Sequence, residues 1–279
     1  MKTQRTTLTK RERIFIDTVW SYYHQHGRHT LPWRQTTHPY KILVSEVMLQ
    51  QTQVDRVIPK YRSFLKRFGT VEKLSSASLG DVLREWQGLG YNRRAKMLYE
   101  CAKRVVIDYE SIFPKNIAEL QQLPGVGPYT ASAICTFAYN VPLVMIETNI
   151  RTVFLHHFFK HKNAVTDKEL ARYIEKCLLV ENDAREWYAA LMDYGSYLKS
   201  QFDNPNKRSK HYNKQSVFKG SNRQIRGTIL RLLVNTNLNK KEITKRLSQY
   251  KPQCLQTQLT LLQKEGLIQF YNSTYCLPQ

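Results

Sequence analysis

The stretch Leu123-Pro124-Gly125-Val126-Gly127-Pro128-Tyr129-Thr130-Ala131 leaves the backbone few choices. Two glycines one residue apart, set between helical patterns, predict a tight hairpin. Such a turn can press bare backbone N–H groups against a phosphate. Pro128 suits the first turn of a following helix, where its missing N–H is not needed. The unpaired N–H groups and the positive dipole end of that helix add to the anion site. Glu147 follows soon after, where a carboxylate can sit near the sugar of a held nucleotide.

With 279 residues the chain has room for about two domains and a good core. Its formal net charge of +21 at pH 7 points to a polyanionic partner. An anionic membrane surface is the rival partner. The sequence shows no long apolar span and no signal-peptide pattern at its basic N-terminus. A soluble, intracellular monomer is therefore expected, cytoplasmic and nucleoid-associated if bacterial. Cys101, Cys135, Cys177, Cys254 and Cys276 are scattered, and no pair has C-x-x-C spacing. That pattern argues against disulfides and against cysteine-held zinc or iron–sulfur centres. His156 and His157 are adjacent, so they diverge on a helix and read as structural or surface groups.

Apolar periodicity predicts helices over 9–26, 39–52, 54–68, 78–86, 92–109, 116–122, 128–139, 148–159, 168–179 and 185–198. Gly88-Leu89-Gly90-Tyr91 breaks one pair, so a helix–glycine turn–helix theme occurs twice. Alternating strand patterns are absent here, and the first two thirds should be all-α. Residues 201–220 are polar and basic and read as a linker or a loop laid on phosphates. Beyond them, helices over 224–233, 240–247 and 255–265 precede strand patterns at 267–271 and 274–277, paired across Asn272-Ser273. Three helices and a hairpin resemble a winged-helix module, a variant of helix-turn-helix. Two readings of it stay open, a DNA-binding element and a packing domain.

Several motifs follow one another in a recognisable order. They are Leu31-Pro32-Trp33-Arg34, Pro39-Tyr40, Ser45-Glu46-Val47-Met48-Leu49-Gln50-Gln51-Thr52-Gln53-Val54, Trp86-Gln87-Gly88-Leu89-Gly90-Tyr91 and the 123–131 hairpin. Over roughly residues 11–198 the chain resembles adenine DNA glycosylases of the MutY family. These belong to the helix-hairpin-helix superfamily that also holds endonuclease III. The resemblance implies a mainly α, two-lobed helix-hairpin-helix glycosylase fold with its active site between the lobes. One lobe is expected at 1–30 plus 140–200 and the other at 31–139. A basic linker at 201–220 and a small winged-helix-like α+β module at 221–279 complete the division. The implied activity is excision of adenine mispaired with guanine or 8-oxoguanine from double-stranded DNA, by cleavage of the N-glycosidic bond.

Chemistry on a stacked base requires the nucleotide to be extruded from the duplex. The leaving adenine then needs a proton, and the resemblance implies Glu46 as the acid. Ile42 and Leu49 share its helix face, and an apolar setting favours the protonated form. Loss of adenine leaves a cation-like sugar, which a fixed carboxylate stabilises or captures. Relatives usually place aspartate there, in an L-D-G-N-V-like motif. This chain reads Met145-Ile146-Glu147-Thr148-Asn149-Ile150, so Glu147 keeps the charge on a side chain one methylene longer. A helix N-terminus beside it is expected to keep Glu147 ionised. The bland alternative is that Glu147 only caps that helix.

Tyr129 stands where bifunctional relatives carry a catalytic lysine, which implies a monofunctional enzyme; its hydroxyl is a candidate partner of the catalytic carboxylates. Gln51 and Tyr91 resemble wedge residues that fill the base stack and probe the opposite base. Arg34 and Gln50 are candidate neighbours of the extruded base. Gly125, Val126, Gly127 and Thr130 are the expected DNA-binding residues of the hairpin. The superfamily also implies a monovalent cation at the backbone carbonyls of Leu123 and Val126.

Two departures qualify the resemblance. Relatives usually carry four cysteines for a [4Fe–4S] cluster after the segment that here reads Asp193-Tyr194-Gly195-Ser196-Tyr197-Leu198. This chain has Lys199, Lys207, Arg208, Lys210 and Lys214 there and no cysteine, so a clusterless protein without cofactor is expected. Residues 221–279 are also too short for the domain with which many relatives help read 8-oxoguanine. Two other functions stay in view. One is a pyrimidine glycosylase acting on T·G or U·G mismatches, some of which carry tyrosine at the Tyr129 position. The other is a catalytically silent DNA-binding protein.

Overall fold

The computed structural model describes residues 8–214 and 217–279. The first seven residues of the expected 1–30 segment, and positions 215–216 of the expected linker, lie outside them.

Helix α1 (Lys10–His26) starts at Thr9, whose hydroxyl accepts from Glu12 N while the Glu12 carboxylate accepts from Thr9 N. That reciprocal cap satisfies two of the four orphan donors of the first turn. Then come α2 (Pro39–Leu49), α3 (Val54–Arg67), α4 (Val71–Ser75), α5 (Leu79–Glu85) and α6 (Arg93–Asp108). The chain continues through α7 (Ile117–Leu120), α8 (Pro128–Tyr139), α9 (Thr148–Phe158), α10 (Asp167–Leu178) and α11 (Ala184–Gln201). The last part holds α12 (Asn222–Leu233), α13 (Lys240–Arg246) and α14 (Pro252–Lys264), then strands β1 (Gln269–Tyr271) and β2 (Thr274–Cys276). The predicted helices are present, with ends moved by a few residues. α4 was not expected, because five residues are too few to show a 3.6-residue period.

The described residues fall into two compact units. The first takes in the chain up to Ile42, Lys115–Gln121 and Gly127–Lys214. Its core lies where α1, α9 and α11 bury Phe15, Val19, Phe154, Trp187, Tyr188 and Leu191. Each such side chain contributes about 1.5–3 kcal/mol by leaving water. The second unit takes in Leu43–Pro114, Gln122–Val126 and the residues from 217 on. Here Phe64, Leu74, Trp86 and Leu98 are buried among α3 to α6.

The last 59 positions expected to stand as a module thus belong to the same unit as α3 to α6. Gly80 N donates to Pro278 O at 2.8 Å, and Lys96 Nζ donates to Glu265 O at 2.6 Å. A Cβ on Gly80 would lie 2.4 Å from Pro278 O, so the close approach needs glycine. Within the module β1 and β2 pair antiparallel, Phe270 opposite Tyr275. Asn272 and Ser273 both have positive φ, as a two-residue hairpin turn requires.

Candidate active site

The hairpin forms as its glycines predict. Gly125 has φ +76°, and a Cβ there would lie 2.6 Å from Met97 Cβ, so both conformation and packing demand glycine. Val126 N donates to Leu123 O at 3.1 Å and closes the turn. Gly127 caps α8, with Pro128 in its first turn. A Cβ on Gly127 meets no described atom within 4 Å, so the space beside this helix start is open. Thr130, expected at the DNA surface, is instead buried at 3% exposure. Facing the core is the consequence of its place in the first turn of α8, one residue after Tyr129, which packs on the first unit's core.

Glu46 sits in the second unit, in the middle of α2, where every residue from 42 to 48 is buried. Its own exposure is 9%. A carboxyl is costly in such a place, and helices seldom carry one there without a use for it.

The end of α2 is fixed by Arg94, which the sequence reading did not single out. Its guanidinium donates to Val47 O (2.6 Å), Met48 O (3.0 Å) and Gln50 O (2.6 Å). It also donates to Thr52 Oγ1 (3.1 Å), Gly90 O (3.2 Å) and Leu89 O (3.3 Å). Burial holds the Arg94 pKa down to about 10. One cation therefore ties the end of α2 to the 88–91 turn. The two residues expected to act as wedges sit on either side of it, Gln51 with φ +56° and Tyr91 with φ +46°. Non-glycine residues pay for that conformation, and such strain collects at functional sites. Gln50 and Tyr91 line a cavity of about 440 Å³ together with Gly125, while Gln51 and Tyr91 line a second of about 990 Å³.

Glu147 lies in the first unit as the N-cap of α9. Its Oε1 accepts from Asn149 N at 2.7 Å and Ile150 N at 2.8 Å. Oε2 takes no hydrogen bond from the described residues. Enclosure by the protein pushes the Glu147 pKa above the ordinary carboxylate value. The two amide bonds, Lys199 and Arg151 oppose that rise without cancelling it. The expected pull of the helix start toward the ionised form is therefore present but smaller than the opposing effect of enclosure.

Three neighbours fix the first turn of α9. Tyr188 OH accepts from Met145 N (3.0 Å) and donates to Leu143 O (2.7 Å), anchoring the approach. Gly195 of α11 lies so close that a Cβ on it would be 2.2 Å from Asn149 O. Asn206 Nδ2 donates to Thr152 Oγ1 at 2.6 Å and Thr148 O at 3.3 Å.

Arg34, expected beside the extruded base, is committed elsewhere. Its guanidinium grips Asp193 through both oxygens, at 2.7 and 2.8 Å, and reaches Ala189 O at 3.2 Å. Arg28 joins the same carboxylate, and together they hold the Asp193 pKa below its ordinary value against the burial that raises it. Arg34 is thus a structural cation of the first unit.

In the segment where the resemblance places cluster cysteines, the buried polar residues are Asn206 and Ser209. Neither supplies a thiolate, and the five cysteines lie elsewhere in the chain, so a [4Fe–4S] cluster does not fit this donor set. Among the described residues no group of three or more His, Cys, Asp or Glu is placed to hold a metal ion. Among them, too, no helix is long and apolar enough to cross a membrane.

Comparison with known proteins joins these features. Residues 44–178 match the HhH-GPD superfamily of base excision DNA repair proteins. An adenine DNA glycosylase of Buchnera aphidicola subsp. Baizongia pistaciae is 38% identical over 186 residues, 66% of this chain and 53% of that protein. The adenine DNA glycosylase of Mycolicibacterium smegmatis is 37% identical over 175 residues, 62% of this chain and 60% of that protein. The chain thus spans roughly half to three fifths of the length of these curated relatives. Among solved structures, a thermostable thymine-DNA glycosylase superposes with a TM-score of 0.62 at 26% identity, covering 70% of this chain and 91% of that one. An endonuclease III–DNA complex, at 17% identity and a TM-score of 0.56, shares the fold over 72% of this chain and 99% of that one. With the glycine hairpin, the two carboxylates and the helical architecture in place, the chain belongs to the HhH-GPD superfamily of base excision DNA repair proteins.

Proposed function

We propose that the chain is a monofunctional DNA glycosylase that removes adenine opposite guanine or 8-oxoguanine, working as a soluble cytoplasmic monomer. The observation that carries this reading is Glu46, buried in mid-helix inside the Ser45-Glu46-Val47-Met48-Leu49-Gln50-Gln51-Thr52 block. A carboxylic acid in that setting can hold a proton and deliver it. Protonation of adenine at N7 lets the C1′–N9 bond break with its electron pair leaving on the base. Glu147 offers Oε2 to the sugar cation while Oε1 stays on the helix start. Water then attacks C1′ and leaves an abasic site. Tyr129 forms no Schiff base at neutral pH, so no strong strand-cleaving step follows. The superfamily's cluster is replaced by packing of the Asn206 loop against α9. The names of the relatives support adenine as the base, and the thymine-DNA glycosylase neighbour keeps a pyrimidine in view as the second reading.

The test is a panel of labelled duplexes holding one A·8-oxoguanine, A·G, A·C, T·G or U·G pair, treated with alkali after incubation. Cleavage on the adenine strand is the expected result. Glu46→Gln should lower the single-turnover rate by about 10²–10⁴-fold. Cleavage at T·G or U·G instead would move the enzyme to the pyrimidine branch. Duplex binding with no cleavage anywhere would mark a silent DNA-binding protein.

A further inference from the structure

Between α12 and the 87–92 segment runs a groove of about 990 Å³. Its charged side chains are Arg56, Arg223 and Arg231, and no carboxylate lines it among the described residues. Amides and hydroxyls such as Gln51, Gln87 and Thr228 make up much of the rest of its polar lining. The groove is not a loose seam. Arg223 donates to Tyr91 OH at 2.5 Å, and Arg226, one turn on, pairs with Glu265 at 2.6 Å. Arg56 donates to Gly88 O from the other wall. Arg56 and Arg231 keep exposed side chains that can still reach a ligand.

A site with three guanidinium groups, neutral donors and no acid suits a polyanion with spaced single charges, which describes a phosphodiester strand. Gln51 and Tyr91 stand in the same groove, so the strand would pass beside the base pair that these residues address. In helix-turn-helix modules the reading helix enters the major groove. Here the corresponding α14 carries Lys264 as its one basic residue, whereas α12 carries Arg223, Arg226 and Arg231. We propose that this groove is a phosphodiester-binding site, and that the C-terminal module grips substrate DNA through its first helix rather than its third. The proposal rests on the glycosylase reading for the identity of the strand as substrate.

The test measures binding of the full chain to two labelled duplexes, one with an A·G pair and one fully paired, between about 50 and 200 mM salt. Arg231→Gln and Arg56→Gln should each lower the slope of log K against log salt by about 0.9 on both duplexes, and weaken binding several-fold at the lower salt. Lys264→Gln, on α14, should leave slope and affinity as they are. Folding of each variant is checked by circular dichroism, and two separate arginines guard against one misfolded variant. Unchanged slopes for both arginine variants would overturn the proposal, as would an equal loss for Lys264→Gln, or no duplex binding by the unaltered chain. Failure of the glycosylase reading shows separately, as absence of abasic sites on an A·G duplex that is bound.

Discussion

Helices α2 and α9 carry the two candidate carboxylates, and the end of the first and the start of the second are held by opposite means. At α2 a single half-buried cation serves six acceptors on two segments, and the flanking Gln51 and Tyr91 both sit in left-handed backbone conformations. At α9 the holding is spread over the Glu147 cap, the Tyr188 hydroxyl, the Asn206 amide and the bare Cα of Gly195. A charged hub is strong because each hydrogen bond is charge-assisted, but it fails as one piece. A distributed set loses stability in steps. The comparison predicts that single substitutions hurt the first region more than the second.

The largest loss of stability is expected at Arg94. Lysine keeps the charge but not the fork, so several partly buried acceptors lose their donor. Arg94→Lys should cost about 3 kcal/mol or more in urea unfolding, since an orphaned acceptor carries about 1–3 kcal/mol when fully buried and several partly buried ones are orphaned together. A loss below about 1 kcal/mol would show that the region is not hung on one side chain. Gly195→Ala comes next, at about 1–3 kcal/mol, because the new methyl has to displace the Asn149 carbonyl. The same shift moves the turn that Glu147 caps, so excision should fall further than stability. Equal activity and stability to the unaltered chain would mean that α11 can retreat from α9 without consequence.

Asn206→Ala tests the distributed side of the comparison. It removes a buried donor to Thr152 Oγ1 and Thr148 O while the cap and Gly195 stay in place. A cost of about 1–2 kcal/mol with adenine excision largely kept is expected. A collapse as deep as that of Arg94→Lys would make Asn206 a second hub and erase the contrast.

Much of this was legible in the sequence, for reasons that differ from residue to residue. The hairpin could be read because Gly125 must adopt positive φ and Pro128 must start a helix, both local requirements. Helices such as α8 and α9 could be read from their period. Arg94 could not, since an arginine in a helical stretch looks like any solvated charge until the chain brings five carbonyls and a threonine hydroxyl around it. Arg34 misled for the same reason in reverse, since its partner Asp193 is distant in the chain and nothing local announces the pair. Thr130 misled because the hairpin pattern shows where the backbone goes but not which side of α8 faces the core. For Glu147 the position and the capping role were both readable. The balance between helix start and enclosure was not, because enclosure comes from the fold around it.

That balance gives the smallest change in stability and the sharpest check. Glutamine at 147 keeps an amide oxygen that can accept from Asn149 N and Ile150 N, so the cap survives while the charge goes. Excision should fall by about 10²-fold or more if Oε2 steadies the sugar cation. The folded-state pKa of Glu147 lies above its ordinary value of 4.5. Below the unfolded pKa, both folded and unfolded chains hold the proton and stability is unaffected by this group. As pH rises, the unfolded chain ionises first, so stability is lost until the folded-state pKa is passed. Glu147→Gln has no proton to lose. Its melting temperature relative to the unaltered chain should therefore climb as pH rises through the ordinary carboxylate range, and then level off. A difference that stays flat, or that shrinks with pH, would mean that the helix start and the two cations outweigh enclosure after all. The helix start would then set the titration of Glu147, as first expected, and the pKa would lie below the ordinary carboxylate value rather than above it.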